Sequence, residues 1–150
     1  MTSRLEIRKC SVCDTVIEVL ESCGAEITCC GRPMDTLSAK CFAAGRQRHT
    51  PIVEQLDDGI RVTVGRMPHL MSHDHFIQWI ELTANGRNYR QFLKPGMLPQ
   101  AFFNVSTVEL GEVQVRVMCK QDGLWSATPL EAEEHHLVLT DNDSWGHDAS

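Results

Sequence analysis

The chain has 150 residues, 42% of them hydrophobic and 23% charged, the balance of a soluble globular protein of one or two small domains. Its net charge of −6 is uneven: residues 1–120 hold all 14 Lys and Arg against 13 acids, and the last thirty residues hold seven acids and neither Lys nor Arg. Such a chain offers no basic face for nucleic acid, and no apolar run is long enough to span a bilayer. The first residues lack an apolar signal segment, so a cytoplasmic protein with reduced thiols is expected.

Residues 1–37 read as a small first unit. Leu5 to Arg8 alternates like a short strand, and Thr15 to Leu20 is a second β-rich run. Ser22-Cys23-Gly24 reads as a turn leading to a Cys29-Cys30-Gly31 knuckle. So short a unit cannot bury enough apolar surface to fold without a staple. Cys10-x-x-Cys13 and the vicinal Cys29-Cys30 would supply one as four thiolates on a metal, where binding free energy becomes folding free energy. The competing reading is a pair of redox disulfides, which a reducing compartment disfavours. Spacing alone leaves zinc and a single iron open. Cys23 and Cys41 lack ligand spacing and read as free thiols.

Residues 38–46 read as a linker, and residues 47–127 as a run of short strands. Ile60, Val62 and Val64 alternate after Asp57-Asp58-Gly59, the pattern of a hairpin. His75, Ile77 and Trp79 are expected on one strand face, with Phe76, Ile80 and Leu82 on the other. Asn85-Gly86 marks a turn, and Lys94-Pro95-Gly96 a stop. Strands over Ala101–Val105 and Val113–Val117 complete a mostly β chain with the look of a sandwich. Cys119 continues the phase of Val113, Val115 and Val117, so its sulfur and the His75 imidazole are expected at strand ends on inner faces. Residues 128–150, with His135, His136 and His147, read as an acidic disordered tail.

The first cysteine set, continued by Pro33-Met34, resembles the desulforedoxin-type domain of desulfoferrodoxins, with Asp14 where that family usually has Gly. His49-x-Pro51-Ile52, Pro68-His69-x-Met71, His75-x-Ile77-x-Trp79-Ile80-Glu81-Leu82, Phe92-Leu93-Lys94-Pro95-Gly96 and Cys119-x-x-x-Gly123-Leu124-Trp125 resemble superoxide reductase. The resemblance implies a desulforedoxin-like domain followed by an immunoglobulin-like β-sandwich, with two irons per chain. One would be held by Cys10, Cys13, Cys29 and Cys30. The other would have equatorial His49, His69 and His75 and axial Cys119, with His73 no ligand. The implied reaction is one-electron reduction of superoxide to hydrogen peroxide, with a rubredoxin-like electron donor and a homodimeric assembly.

Two positions depart from that pattern. The fourth equatorial imidazole is expected three residues after the axial cysteine, where this chain has Asp122. A carboxylate there would ligate iron itself, or leave the place to water or a tail histidine. The second departure precedes the first His ligand, where a Glu-Lys pair is replaced by Gln47 and Arg48. Arg48 keeps a positive charge for an anionic substrate; Gln47 supplies no anion. The alternative reading is a non-catalytic iron protein, serving electron transfer or small-molecule sensing on the same scaffold.

Overall fold

The computed structural model describes residues 4–41, 46–67, 69–106 and 111–127. The chain divides into two compact units, Met1–Ser38 and Ala39–Ser150. The expected acidic tail and its histidines lie outside the described residues.

In the first unit β1 (Ile7–Lys9) pairs antiparallel with β2 (Val16–Glu18) and β5 (Asp35–Leu37). A second hairpin joins β3 (Thr28–Cys29) to β4 (Arg32–Pro33). Its turn residues Cys30 and Gly31 both have left-handed backbones, φ 53° and 75°, the geometry of a tight two-residue hairpin loop. Apolar burial is meagre: Ile7, Cys10, Val19 and Met34 are the buried hydrophobic residues among those described here. Arg8 is drawn in with them, bonded to the Glu6 carboxylate at 3.0 Å and the Met34 carbonyl at 3.3 Å. Four apolar side chains bury too little surface to offset the entropy of ordering the unit.

Among its described residues the second unit begins with a segment through Lys40, continues at a helical turn, α1 (Arg46–His49), and then runs through seven strands. Three of them, β6 (Pro51–Leu56), β7 (Gly59–Val64) and β10 (Gln100–Phe103), form one sheet in the order β10-β7-β6. The other sheet holds β8 (Ile77–Ala84), β9 (Arg87–Phe92), β11 (Val113–Cys119) and β12 (Gly123–Ser126), in the order β12-β11-β8-β9. Ile60, Val62 and Val64 from the first sheet meet Ile80, Leu82, Val115 and Val117 from the second, the core of a β-sandwich.

Two details of β8 differ from the sequence expectation. His75 precedes the strand, in an isolated antiparallel bridge with Ser72. Ile77, Ile80, Leu82 and Ala84 belong to the core, whereas Trp79 does not, so Ile77 and Trp79 do not share a face. The register shift between Met118 and Cys119, opposite Trp79 and Ile77, is the cause. A bulge there adds a residue and reverses the alternation. The alternation along β11 itself is unbroken, so Cys119 follows Val115 and Val117 on the core side at the very end of that strand.

Opposite the core, Glu81 is buried on the sheet's outer side. Arg116 grips both its oxygens, Arg90 Nη2 lies 3.0 Å from Oε2 and Asn88 donates to Oε1 at 2.7 Å. These three partners come from the strands on either side of β8, so the carboxylate ties β9, β8 and β11 together.

Candidate metal centres

The four cysteines of the first unit converge, their sulfurs lying within 4.8 Å of one another. Cys13 and Cys29 are 3.7 Å apart, and Cys29 and Cys30 3.9 Å. A tetrahedron with metal–sulfur bonds of about 2.3 Å has edges of about 3.8 Å, so the group fits a single tetrahedral ion. Local backbone makes this possible. The amides of Val12 and Cys13 point at Cys10 Sγ at 3.4 and 3.5 Å, and Asp14 closes the loop by donating to the Cys10 carbonyl. Asp14 takes φ 63°, a left-handed position that a glycine fills without strain and Asp fills better than most side chains. Without metal the thiols differ sharply. Hydrogen bonding to Thr15 pulls Cys13 down to about 6, and bonding to Cys13 and Cys10 pushes Cys29 up to about 12. Cys23 is exposed and outside the group.

In the second unit five donors meet: His49, His69, His75, Cys119 and Asp122, again within 4.8 Å of one another. They come from four places. His49 ends α1, His69 and His75 lie in the connection between β7 and β8, Cys119 ends β11, and Asp122 occupies the turn into β12. Nε2 of His49 is 3.0 Å from His69 Nε2 and 3.0 Å from Asp122 Oδ2, and His75 Nε2 is 2.9 Å from that same oxygen. Neighbouring donors on a metal with bonds of about 2.0–2.1 Å stand about 2.9 Å apart, so these three separations have the size expected between ligands of one ion. Cys119 Sγ lies 3.4 Å from His69 Nε2 and 3.7 Å from Asp122 Oδ2, the longer separations expected of sulfur. Asp122 Oδ2 thus lies among these donor atoms, three residues after Cys119, where an imidazole was expected. A carboxylate oxygen and an imidazole Nδ1 are both bonded to Cγ, so Asp reaches as far as a His using Nδ1.

Three of the donors have a second, orienting contact. His69 Nδ1 donates to the Leu70 carbonyl at 2.6 Å, which fixes its tautomer and leaves Nε2 free for the centre. Burial holds His69 below the usual imidazole range, in its neutral form. The His49 ring stacks on Trp125, centroids 4.4 Å apart and planes at 11°. Burial raises the Cys119 thiol, although the Asp122 amide at 3.4 Å favours its thiolate. Burial opposes ionisation of Asp122 as well. The hydrogen bond from His75 and the charges of His49 and His75 outweigh it, holding the carboxyl below its usual range.

Gly65 sets the position of α1. Its backbone has φ 86°, and a Cβ there would stand 2.5 Å from the carbonyl oxygens of Arg48 and Met67. Only glycine lets β7 end this close to the residue before His49. Arg48 is exposed, while the side chain of Gln47 lies outside the described residues. His73 is exposed and paired with Asp74 at 3.3 Å, apart from the cluster. Sequence reasoning missed the stacking of Trp125 on His49.

Residues 42–128 match the family model described as Desulfoferrodoxin, and residues 2–37 match the one described as Desulfoferrodoxin, N-terminal domain. The chain belongs to the desulfoferrodoxin family. A desulfoferrodoxin of Syntrophotalea carbinolica is 45% identical over 127 residues, 85% of this chain and 98% of that one. A desulfoferrodoxin of Nitratidesulfovibrio vulgaris is 38% identical over the same length, 85% of this chain and 98% of that one. The superoxide reductase from Treponema pallidum shares the fold, with a TM-score of 0.68 at 19% identity, over 83% of this chain and 98% of that one. The family and the donor groups of this chain fit two irons, one at the four cysteines and one at the group of His49, His69, His75, Cys119 and Asp122. No helix among the described residues is long and apolar enough to cross a membrane.

Proposed function

We propose that this desulfoferrodoxin reduces superoxide at its second centre, where His49, His69, His75, Asp122 and Cys119 would hold the iron. The observation that carries the reading is the convergence of five donors from four separate places in the chain, at ligand spacing. Iron bound there supplies one electron; with two protons from solvent, superoxide becomes hydrogen peroxide and no dioxygen is released. An external one-electron donor of the rubredoxin-like class restores the reduced state.

The protein's own residues do the rest. Three neutral imidazoles hold a divalent ion without cancelling its charge, and the Cys119 thiolate adds electron density from one side. Arg48, exposed beside His49, attracts the anionic substrate. Asp122 contributes a negative charge where an imidazole would contribute none, which favours the oxidised ion and repels superoxide. That charge also favours a second reading, a metal protein that does not turn over.

The deciding experiment exposes the reduced, iron-loaded protein to pulsed superoxide and counts products. One hydrogen peroxide per superoxide consumed, without dioxygen, supports reduction. Half that peroxide with dioxygen evolved indicates dismutation, and no consumption supports the non-catalytic reading.

A further inference from the structure

Behind the second centre, three groups meet at one carbonyl. The backbone oxygen of Asp122 accepts from Lys40 Nζ at 2.9 Å and from the Trp125 indole Nε1 at 3.1 Å. The Lys40 ammonium also lies over the Trp125 ring, 5.4 Å from its centroid, and the other side of the relation is the Trp125 ring stacked on His49. The backbone around Lys40 is itself fixed. Its amide donates to the Leu124 carbonyl and its carbonyl accepts from the Ser126 amide, each at 2.9 Å, a parallel bridge to Trp125. Gly123, next to Asp122, has φ 85°, and a Cβ there would come 3.9 Å from Lys40 Nζ.

We propose that Lys40 is a positioning residue for the second metal centre, holding the Asp122 peptide and the Trp125 ring so that Asp122 Oδ2 and His49 Nε2 face the metal. An exposed lysine is ordinarily a solvated charge with little energetic consequence. Here its head is directed at the main chain of a ligand-bearing turn, three residues beyond Cys119. With the indole as second donor, the Asp122 carbonyl has both lone pairs used, which fixes the rotation of the peptide linking Asp122 to Gly123. A cation there also offsets part of the charge that the Asp122 carboxylate adds to the site. The inference rests on the reading of Asp122 as a ligand, and goes beyond it by naming what holds that ligand in place.

The test uses the full-length metal-free protein titrated with cobalt(II), whose thiolate absorption reports each site; Cys119→Ser identifies the band of the second. Lys40→Met retains the backbone bridge and removes only the ammonium. It is expected to weaken second-site cobalt binding about tenfold, the scale of lost outer contacts to metal ligands. It should also shift that site's band and speed hydrogen exchange at the Gly123 and Leu124 amides. The tetracysteinyl site should bind as before, and Lys40→Arg should restore affinity and band. Wild-type affinity and band in Lys40→Met overturn the proposal, as does an equal loss at both sites. Asp122→Asn separates the two readings. An unchanged second-site band there overturns the ligand role of Asp122, whereas a changed band beside a wild-type-like Lys40→Met overturns only the role of Lys40.

Discussion

Asp122 Oδ2 stands 2.9 Å from Nε2 of His75, residues 47 positions apart in the chain. That one oxygen also serves His49, so a single carboxylate joins the loop before β8 to the turn of α1. Much of what is particular to this protein follows from that atom.

Loading of the second centre should be steeply pH-dependent. Burial raises Cys119, so the metal-free protein holds a neutral thiol there near pH 7, and metal must expel its proton. His69 is lowered by burial and is already neutral, so it adds no competing proton. Affinity should therefore rise by at least about tenfold per pH unit from pH 7 to 8, the one proton that Cys119 gives up. Competition titration with a chelator at several pH values measures the slope. A flat profile would mean that Cys119 is not bound as thiolate.

Gly65→Ala should damage the second centre from outside it. The left-handed backbone alone penalises a side chain by about 1–2 kcal/mol. The new Cβ would also meet two carbonyl oxygens at 2.5 Å, one of them that of Arg48. Relief requires moving α1 and with it His49. Urea unfolding should show a loss above about 2 kcal/mol, and metal analysis a loss at the second site only. A stable variant with both sites filled would contradict the packing described at Gly65.

Glu81→Ala should be among the most damaging changes in the sandwich. It removes the buried carboxylate that Arg90 and Arg116 share, an effect of about 3–5 kcal/mol when one side of a buried ion pair is lost. Thermal unfolding measures it. A fall in stability below about 1 kcal/mol would show that water replaces the carboxylate freely.

Replacing Cys29 and Cys30 by Ser should unfold the first unit and spare the second centre. The first unit buries few apolar side chains and depends on its staple, whereas the sandwich has a full core of its own. Metal analysis with amide exchange over residues 4–37 reports both. Loss of both metals together would contradict this independence.

The two centres were legible in the sequence to different degrees, for a physical reason. Cys10, Cys13, Cys29 and Cys30 stand in two close pairs, and vicinal or near-vicinal thiols in a short segment have few other uses. His49, His69, His75 and Cys119 are spread over seventy residues, and only family resemblance joined them. Resemblance also marked Asp122 as the odd residue, but not where its oxygen lies. The face assignment in β8 failed at Trp79 because a bulge opposite Met118 and Cys119 breaks alternation, and alternation is all a sequence offers there. Lys40 and the Glu81 group depend on register between strands distant in sequence. A lysine in an apparent linker, or two arginines on separate strands, announces neither.

The most direct test of the account is stopped-flow reaction of pulsed superoxide with the wild type and Asp122→His, reduced and at equal second-site iron. The exchange restores a neutral imidazole and removes one negative charge beside the substrate. Wild type should react, Asp122→His should react faster, and the gain should shrink as salt is added, because part of it is attraction of an anion. Equal rates in the two proteins would mean that the Asp122 charge does not govern the site. If both hold iron and neither consumes superoxide, the proposed reaction is wrong.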